Sequence, residues 1–82
     1  MVRVLLRNML DPEKMFQLEV SPTTSIAFVK RVACSGFGFD PSWFSFSSLL
    51  YEGYVLPDTL TVRDVPLQEG ARLDLAITTY FG

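Results

Sequence analysis

The first twenty residues alternate between apolar and polar. Val2, Val4 and Leu6 are separated by Arg3, Leu5 and Arg7, and Phe16, Leu18 and Val20 are separated by Gln17 and Glu19. Successive side chains on a strand point to opposite faces, so each run reads as a half-buried strand. Residues 8–13 lie between them and carry the turn signal Asp11-Pro12, so the pair reads as an antiparallel hairpin. The period then changes. After Ser21-Pro22-Thr23-Thr24-Ser25, the residues Ile26, Val29 and Ala33 fall at i, i+3 and i+7, one face of a helix. Thr24 or Ser25 can cap it by accepting a hydrogen bond from a first-turn N–H, and Gly36 is a natural stop.

Residues 37–48 follow neither period. Phe37, Phe39, Trp43, Phe44 and Phe46 stand there with Gly38 and Pro41. Exposed aromatic clusters invite aggregation, so most are expected to tuck beneath the loop as a satellite of the core, with a partner-binding surface as the alternative. Leu49-Leu50-Tyr51, Glu52-Gly53 and Tyr54-Val55-Leu56 read as strand, tight turn and strand. Residues 59–70 are expected to be irregular, since Pro66 opposes regular structure. Leu73, Leu75 and Ile77 alternate with Arg72, Asp74 and Ala76 as a last strand. The order is β-β-α-β-β-β: an α+β fold, with a mixed sheet of four to five strands packed on one helix.

Composition agrees with a packed core. The chain has 82 residues, 49% hydrophobic and 20% charged, and disorder would require the reverse balance. That length makes one domain, 1–82. The net charge is −2, from seven Lys plus Arg against nine Asp plus Glu, and the basic residues are scattered. No basic face is available for phosphate contacts, so nucleic acid is not an expected partner. No apolar run approaches a membrane span, and the N-terminus lacks the apolar core of a signal peptide. A single cysteine, Cys34, excludes an internal disulfide framework. The expectation is a monomer in the cytoplasm or nucleus.

The ordered set of elements, together with particular residues, resembles the ubiquitin family over almost the whole chain. Lys14-Met15-Phe16-Gln17-Leu18-Glu19-Val20-Ser21-Pro22 is similar to the family's second strand and following turn. Ile26, Val29, Lys30 and Ala33 match its helix, and Leu49-Leu50-Tyr51-Glu52-Gly53 with Leu56 match its middle strands. Thr59-Leu60, Leu67-Gln68-Glu69-Gly70, Leu73 and Leu75 match its ending. The resemblance implies a β-grasp fold and an ion pair between Lys30 and Asp58, since a buried ammonium needs a carboxylate or carbonyls around it. Tyr54 and Glu69 stand where ubiquitin carries its two main chain-building lysines, so the chain is not ubiquitin itself.

Catalytic chemistry is not expected. The chain has no histidine, which removes the commonest general base and, with one cysteine, every ordinary zinc site. Cys34 lies late in the helix with no base to activate it. Gly36-Phe37-Gly38 lacks the Lys-Ser/Thr continuation of a phosphate loop, and no cofactor or metal is expected. Function then rests on recognition of other proteins. The family's apolar contact patch falls, by resemblance, on Met9, Leu50 and Ala76, with Tyr54 beside them. Ser48 and Asp74 replace the basic rim, so partner specificity is expected to have moved. The alternative is a covalent protein modifier conjugated through Gly82, where the family's activated glycine falls; a sulfur carrier of the same fold is a third reading. Phe81-Gly82 resembles the ending of the autophagy-type modifiers rather than the usual Gly-Gly.

Overall fold

The computed structural model describes residues 1–77. Five strands and one helix follow in the expected order: β1 (Val2–Asn8), β2 (Asp11–Val20), α1 (Ile26–Gly36), β3 (Ser47–Tyr51), β4 (Tyr54–Leu56) and β5 (Ala71–Ile77). A 3-10 turn, Pro41–Phe46, precedes β3. The sheet order is β2-β1-β5-β3-β4. β1 and β5 run parallel, and the other neighbours are antiparallel. This is the ubiquitin-like β-grasp, with the two ends of the described chain side by side at the sheet centre.

Alternation decides what is inside. Val4 and Leu6 of β1, Leu49 of β3, and Leu73 and Leu75 of β5 are fully buried on one side of the sheet. The apolar stripe of α1, Ile26, Val29 and Ala33, is buried with them in one core. Leu18, on edge strand β2, packs against this core but stays partly exposed. Burying a leucine or valine side chain is worth about 1.5–3 kcal/mol, so helix and sheet hold one another through this layer.

The first hairpin is tighter than its composition suggests. Strand β2 begins at Asp11, directly opposite Asn8, and the turn is Met9-Leu10 rather than the longer 8–13 segment. Asn8 makes this possible, because its Oδ1 accepts the Leu10 N–H at 2.9 Å. The register then slips: Arg7 pairs with Met15, leaving Pro12, Glu13 and Lys14 as the extra residues of a bulge. Pro12 lacks an N–H, and the edge position of β2 tolerates that.

Ser25 caps α1, its Oγ accepting the Phe28 N–H at 3.1 Å, while Thr24 bonds back to Ser21. The helix ends at Gly36 as expected, but Gly36 does not itself make the left-handed turn. The chain enters the left-handed region only at Gly38, φ 79°. There the Phe39 N–H donates to the Cys34 carbonyl at 2.9 Å and closes the helix end. Gly36 answers a packing demand instead: a Cβ there would sit 2.5 Å from Cζ of Phe16. Glu52 and Gly53, both at positive φ (52° and 84°), make the β3–β4 turn as expected.

The aromatic segment divides. Phe37 meets Phe16 edge-on at 5.1 Å and Phe39 stacks on Trp43 at 5.8 Å; both phenylalanines pack against the core. Asp40 and Pro41 explain the 3-10 turn. The Asp40 carboxylate accepts the Ser42 N–H at 2.9 Å, and Pro41 occupies the first turn, where no N–H is needed. Trp43 and Phe46 remain 39% and 54% exposed, outside any satellite core. Residues 59–70 are irregular but anchored: Ile26 N–H reaches Leu60 O at 2.8 Å, Val62 N–H reaches Thr24 O at 2.9 Å, and Val62 and Leu67 are buried.

Leu49 is 0% exposed between α1 and the sheet. Leu49→Ala is expected to cost about 2–5 kcal/mol, most of the stability of a domain this small, and chemical denaturation would read it as a collapse of the unfolding midpoint.

Candidate protein-binding face

The same alternation that buries Leu49, Leu73 and Leu75 turns their neighbours to the side of the sheet without a helix. Strand pairing lines these residues up. Leu50 pairs with Val55 on one side and Asp74 on the other; Asp74 pairs with Arg7, and Arg7 with Met15. One row therefore crosses all five strands as Val55, Leu50, Asp74, Arg7 and Met15. In the adjacent row Ser48 is opposite Ala76, and the Met9 N–H extends the parallel ladder to the Leu75 carbonyl at 3.0 Å. Gln17, Leu5 and Arg72 make the row on the other side.

Leu50, Ala76 and Met9 are thus close neighbours on one face. Tyr54 is not on it. The two-residue turn sets Tyr54 opposite Tyr51, on the side of Leu56, and puts Val55 beside Leu50. Tyr54 is 76% exposed at the hairpin end, on the other side from Leu50, while Val55 is 61% exposed. Val55 and Met15 escaped the sequence reading, although pairing outward from the Glu52-Gly53 turn locates Val55 opposite Leu50.

Ser48 and Asp74 occupy the rim positions expected from the resemblance. Asp74 is only 13% exposed, held by Arg7 Nε at 2.8 Å and Arg72 Nε at 3.4 Å. At the far edge, Glu69 accepts the Arg3 backbone N–H at 2.9 Å and the Arg3 Nε at 2.7 Å. Those two bonds, the backbone one first, hold the Glu69 pKa below its ordinary 4.5. Backbone N–H bonds act likewise on Asp40, from Ser42, and on Asp64, from Thr61.

Lys30 lies on the opposite side, beneath the aromatic segment. Its Nζ is 3.0 Å from Asp58 Oδ2 and 3.1 Å from the Ser47 carbonyl, with the Phe44 ring centroid 4.1 Å away. The side chain of Lys30 is 6% exposed and that of Asp58 44%. The carboxylate, the carbonyl and the ring face together replace the water that burial removes. This contact ties α1 to the segment after β4 and to the start of β3. Cys34 is buried, its Sγ 3.4 Å from Ser47 Oγ. Among the described residues no cluster of His, Cys, Asp or Glu could hold a metal ion, and no helix is long and apolar enough to cross a membrane. Gly82 lies outside the described residues.

A hairpin, a crossing helix and a mixed five-stranded sheet with first and last strands parallel define a β-grasp protein. The sequence profile of the ubiquitin family matches residues 4–80, and the chain belongs to that family. Among solved structures, Caldiarchaeum subterraneum ubiquitin is similar with a TM-score of 0.81 at 22% identity, over 99% of this chain and 98% of that one. An ATBAG1 structure in complex with HSP70 is similar with a TM-score of 0.78 at 14% identity, over 95% of this chain and 41% of that one. At such identities the likeness is one of fold. No curated protein sequence matches the chain.

Two outcomes are expected. Asp58→Ala leaves a buried ammonium short of its carboxylate and costs about 1–2 kcal/mol, whereas Lys30→Met, which removes the charge itself, costs less. Adding Asp58→Ala to Lys30→Met changes little, and a double-mutant cycle by denaturation reads that coupling. For pH, carboxylates with lowered folded-state pKa bind protons more weakly folded than unfolded. Their stabilisation is present above the ordinary carboxylate range and is lost as pH falls through the folded values. Unfolding midpoints should therefore drop on acidification below about pH 4.3, and Glu69→Gln should flatten that drop.

Proposed function

We propose that this domain is a non-catalytic, ubiquitin-like protein-binding module that docks through the outer sheet face around Leu50. The observation that carries the reading is the strand register. It gathers Leu50, Val55, Ala76, Met9 and Met15 on the side of the sheet that the helix leaves uncovered. A leucine at the centre of such a face can fill a small apolar pocket on a partner, with Val55 and Met9 excluding water around it. Methionine adapts its shape to irregular surfaces, which suits the positions flanking an anchor.

The rim supports a partner range distinct from that of ubiquitin. Asp74 with two arginines, and Ser48 beyond Ala76, present a pattern of charge and hydrogen bonding that a receptor built for a basic rim does not match. Membership of a family whose members are generally not enzymes agrees with a binding role.

Titration of the isotopically labelled domain with a panel of domains that bind ubiquitin-like folds, including ones that do not depend on a basic rim, tests this. Amide shifts should centre on Leu50, Val55, Ala76 and Met9, and Leu50→Ala should weaken binding by about 1–3 kcal/mol without unfolding the domain. Shifts confined to the exposed side of α1 would contradict the proposal. A thioester with an activating enzyme, abolished by Gly82→Ala, would move the assignment to a covalent modifier.

A further inference from the structure

The centre of the outer face is charged. Asp74 stands between Arg7 and Arg72, and both guanidinium groups approach the same oxygen, Oδ1, through the same atom, Nε, at 2.8 Å and 3.4 Å. A guanidinium carries five N–H donors in a planar fork, and Nε supplies only one of them. Among the described residues, no hydrogen bond engages the terminal Nη groups of either arginine. The cluster keeps one unit of positive charge after Asp74 is counted. Its arginines are 27% and 53% exposed, so the free ends of the forks are open to a partner.

The surroundings are apolar on both sides. Leu50 and Val55 continue the row beyond Asp74, Met15 continues it beyond Arg7, and Leu5 lies opposite Arg72. A cationic fork is thus set between two apolar shelves. Asp74 holds Arg7 by a hydrogen bond and keeps Arg72 nearby as an ion pair before any partner arrives, which lowers the ordering cost of using them.

We propose that Arg7 and Arg72, tethered by Asp74, form a carboxylate-binding subsite at the centre of the docking face. The partner is then a protein segment with one Asp or Glu flanked by aliphatic side chains. This rests on the docking role proposed above and narrows it to a partner of defined chemistry. The aliphatic groups cover Leu50 with Val55 on one side and Met15 with Leu5 on the other. The carboxylate takes the Nη donors, whose bonds are charge-assisted and geometrically selective. The domain as a whole is acidic, with a net charge of −2, so this attraction is local to the face.

Two synthetic amphipathic helices test it. Both carry leucines along one face, and they differ only in a central Glu or Gln. Titrated into the labelled domain, the Glu helix should bind about fivefold tighter. Raised salt should shrink the difference, Arg72→Gln should remove most of it, and Arg72→Glu should reverse it. Arg7→Lys, which keeps the charge but loses the fork, should reduce it. Leu50→Ala should weaken both helices alike. Equal binding of the two helices at Leu50 would overturn the carboxylate subsite and leave the docking role standing. If neither helix shifts Leu50, Val55 or Ala76, the docking role fails with it. A dimer of the domain alone, dissociated by Arg72→Glu, would assign the subsite to a second copy and overturn the proposal.

Discussion

Everything in this domain depends on one packing constraint: the apolar stripe of α1 must be covered by one face of the sheet. Ile26, Val29 and Ala33 supply the stripe; Val4, Leu6, Leu49, Leu73 and Leu75 supply the face. Because strand side chains alternate with a period of two, choosing the inner set also chooses the outer one. A slip of one residue in β3 would bury Leu50, expose Leu49 and dismantle the row that crosses the sheet. The binding face is therefore a consequence of the core, made from the residues that the core leaves over.

That link also accounts for where charge is tolerated. Lys30 emerges from the buried side of α1 and cannot reach bulk water, so Asp58, the Ser47 carbonyl and the Phe44 ring converge on it. Asp74 faces outward yet is nearly covered, and two arginines hold it there. The first cluster pins the helix to the loop after β4, while the second lies in the middle of a surface with no internal partner. Similar chemistry serves stability on one side of the sheet and recognition on the other.

Much of this was legible from residue order. Alternation located β1, the second half of β2 and nearly all of β5, the i, i+3, i+7 spacing located α1, and Glu52-Gly53 located the β3–β4 turn. What escaped depended on contacts distant in sequence or on a local competitor. Asp11-Pro12 reads as a turn, but the Asn8 side chain draws the turn forward to Met9-Leu10. The helix does end at Gly36, but the left-handed turn belongs to Gly38, and the lack of a side chain at Gly36 makes room for Phe16 from another element. Family resemblance supplied Met9, Leu50 and Ala76, and it could not supply Val55, whose place follows from strand pairing. The Arg7–Asp74 contact joins residues at opposite ends of the chain through a parallel pairing that no local pattern reports. The aromatic segment lacked a period to read, and Asp40 with Pro41 explains its 3-10 turn only once the capping bond is seen.

The most direct test of the account is a methyl-resolved measurement of paramagnetic broadening by a soluble probe. If the inner and outer sets are sorted as described, the methyls of Val55 and Met15 broaden strongly and those of Leu50 more than those of Leu49. Those of Leu49, Leu73 and Leu75 stay sharp. Broadening of Leu49 with protection of Leu50 would mean that the register is inverted, and neither the core nor the binding face described here would exist.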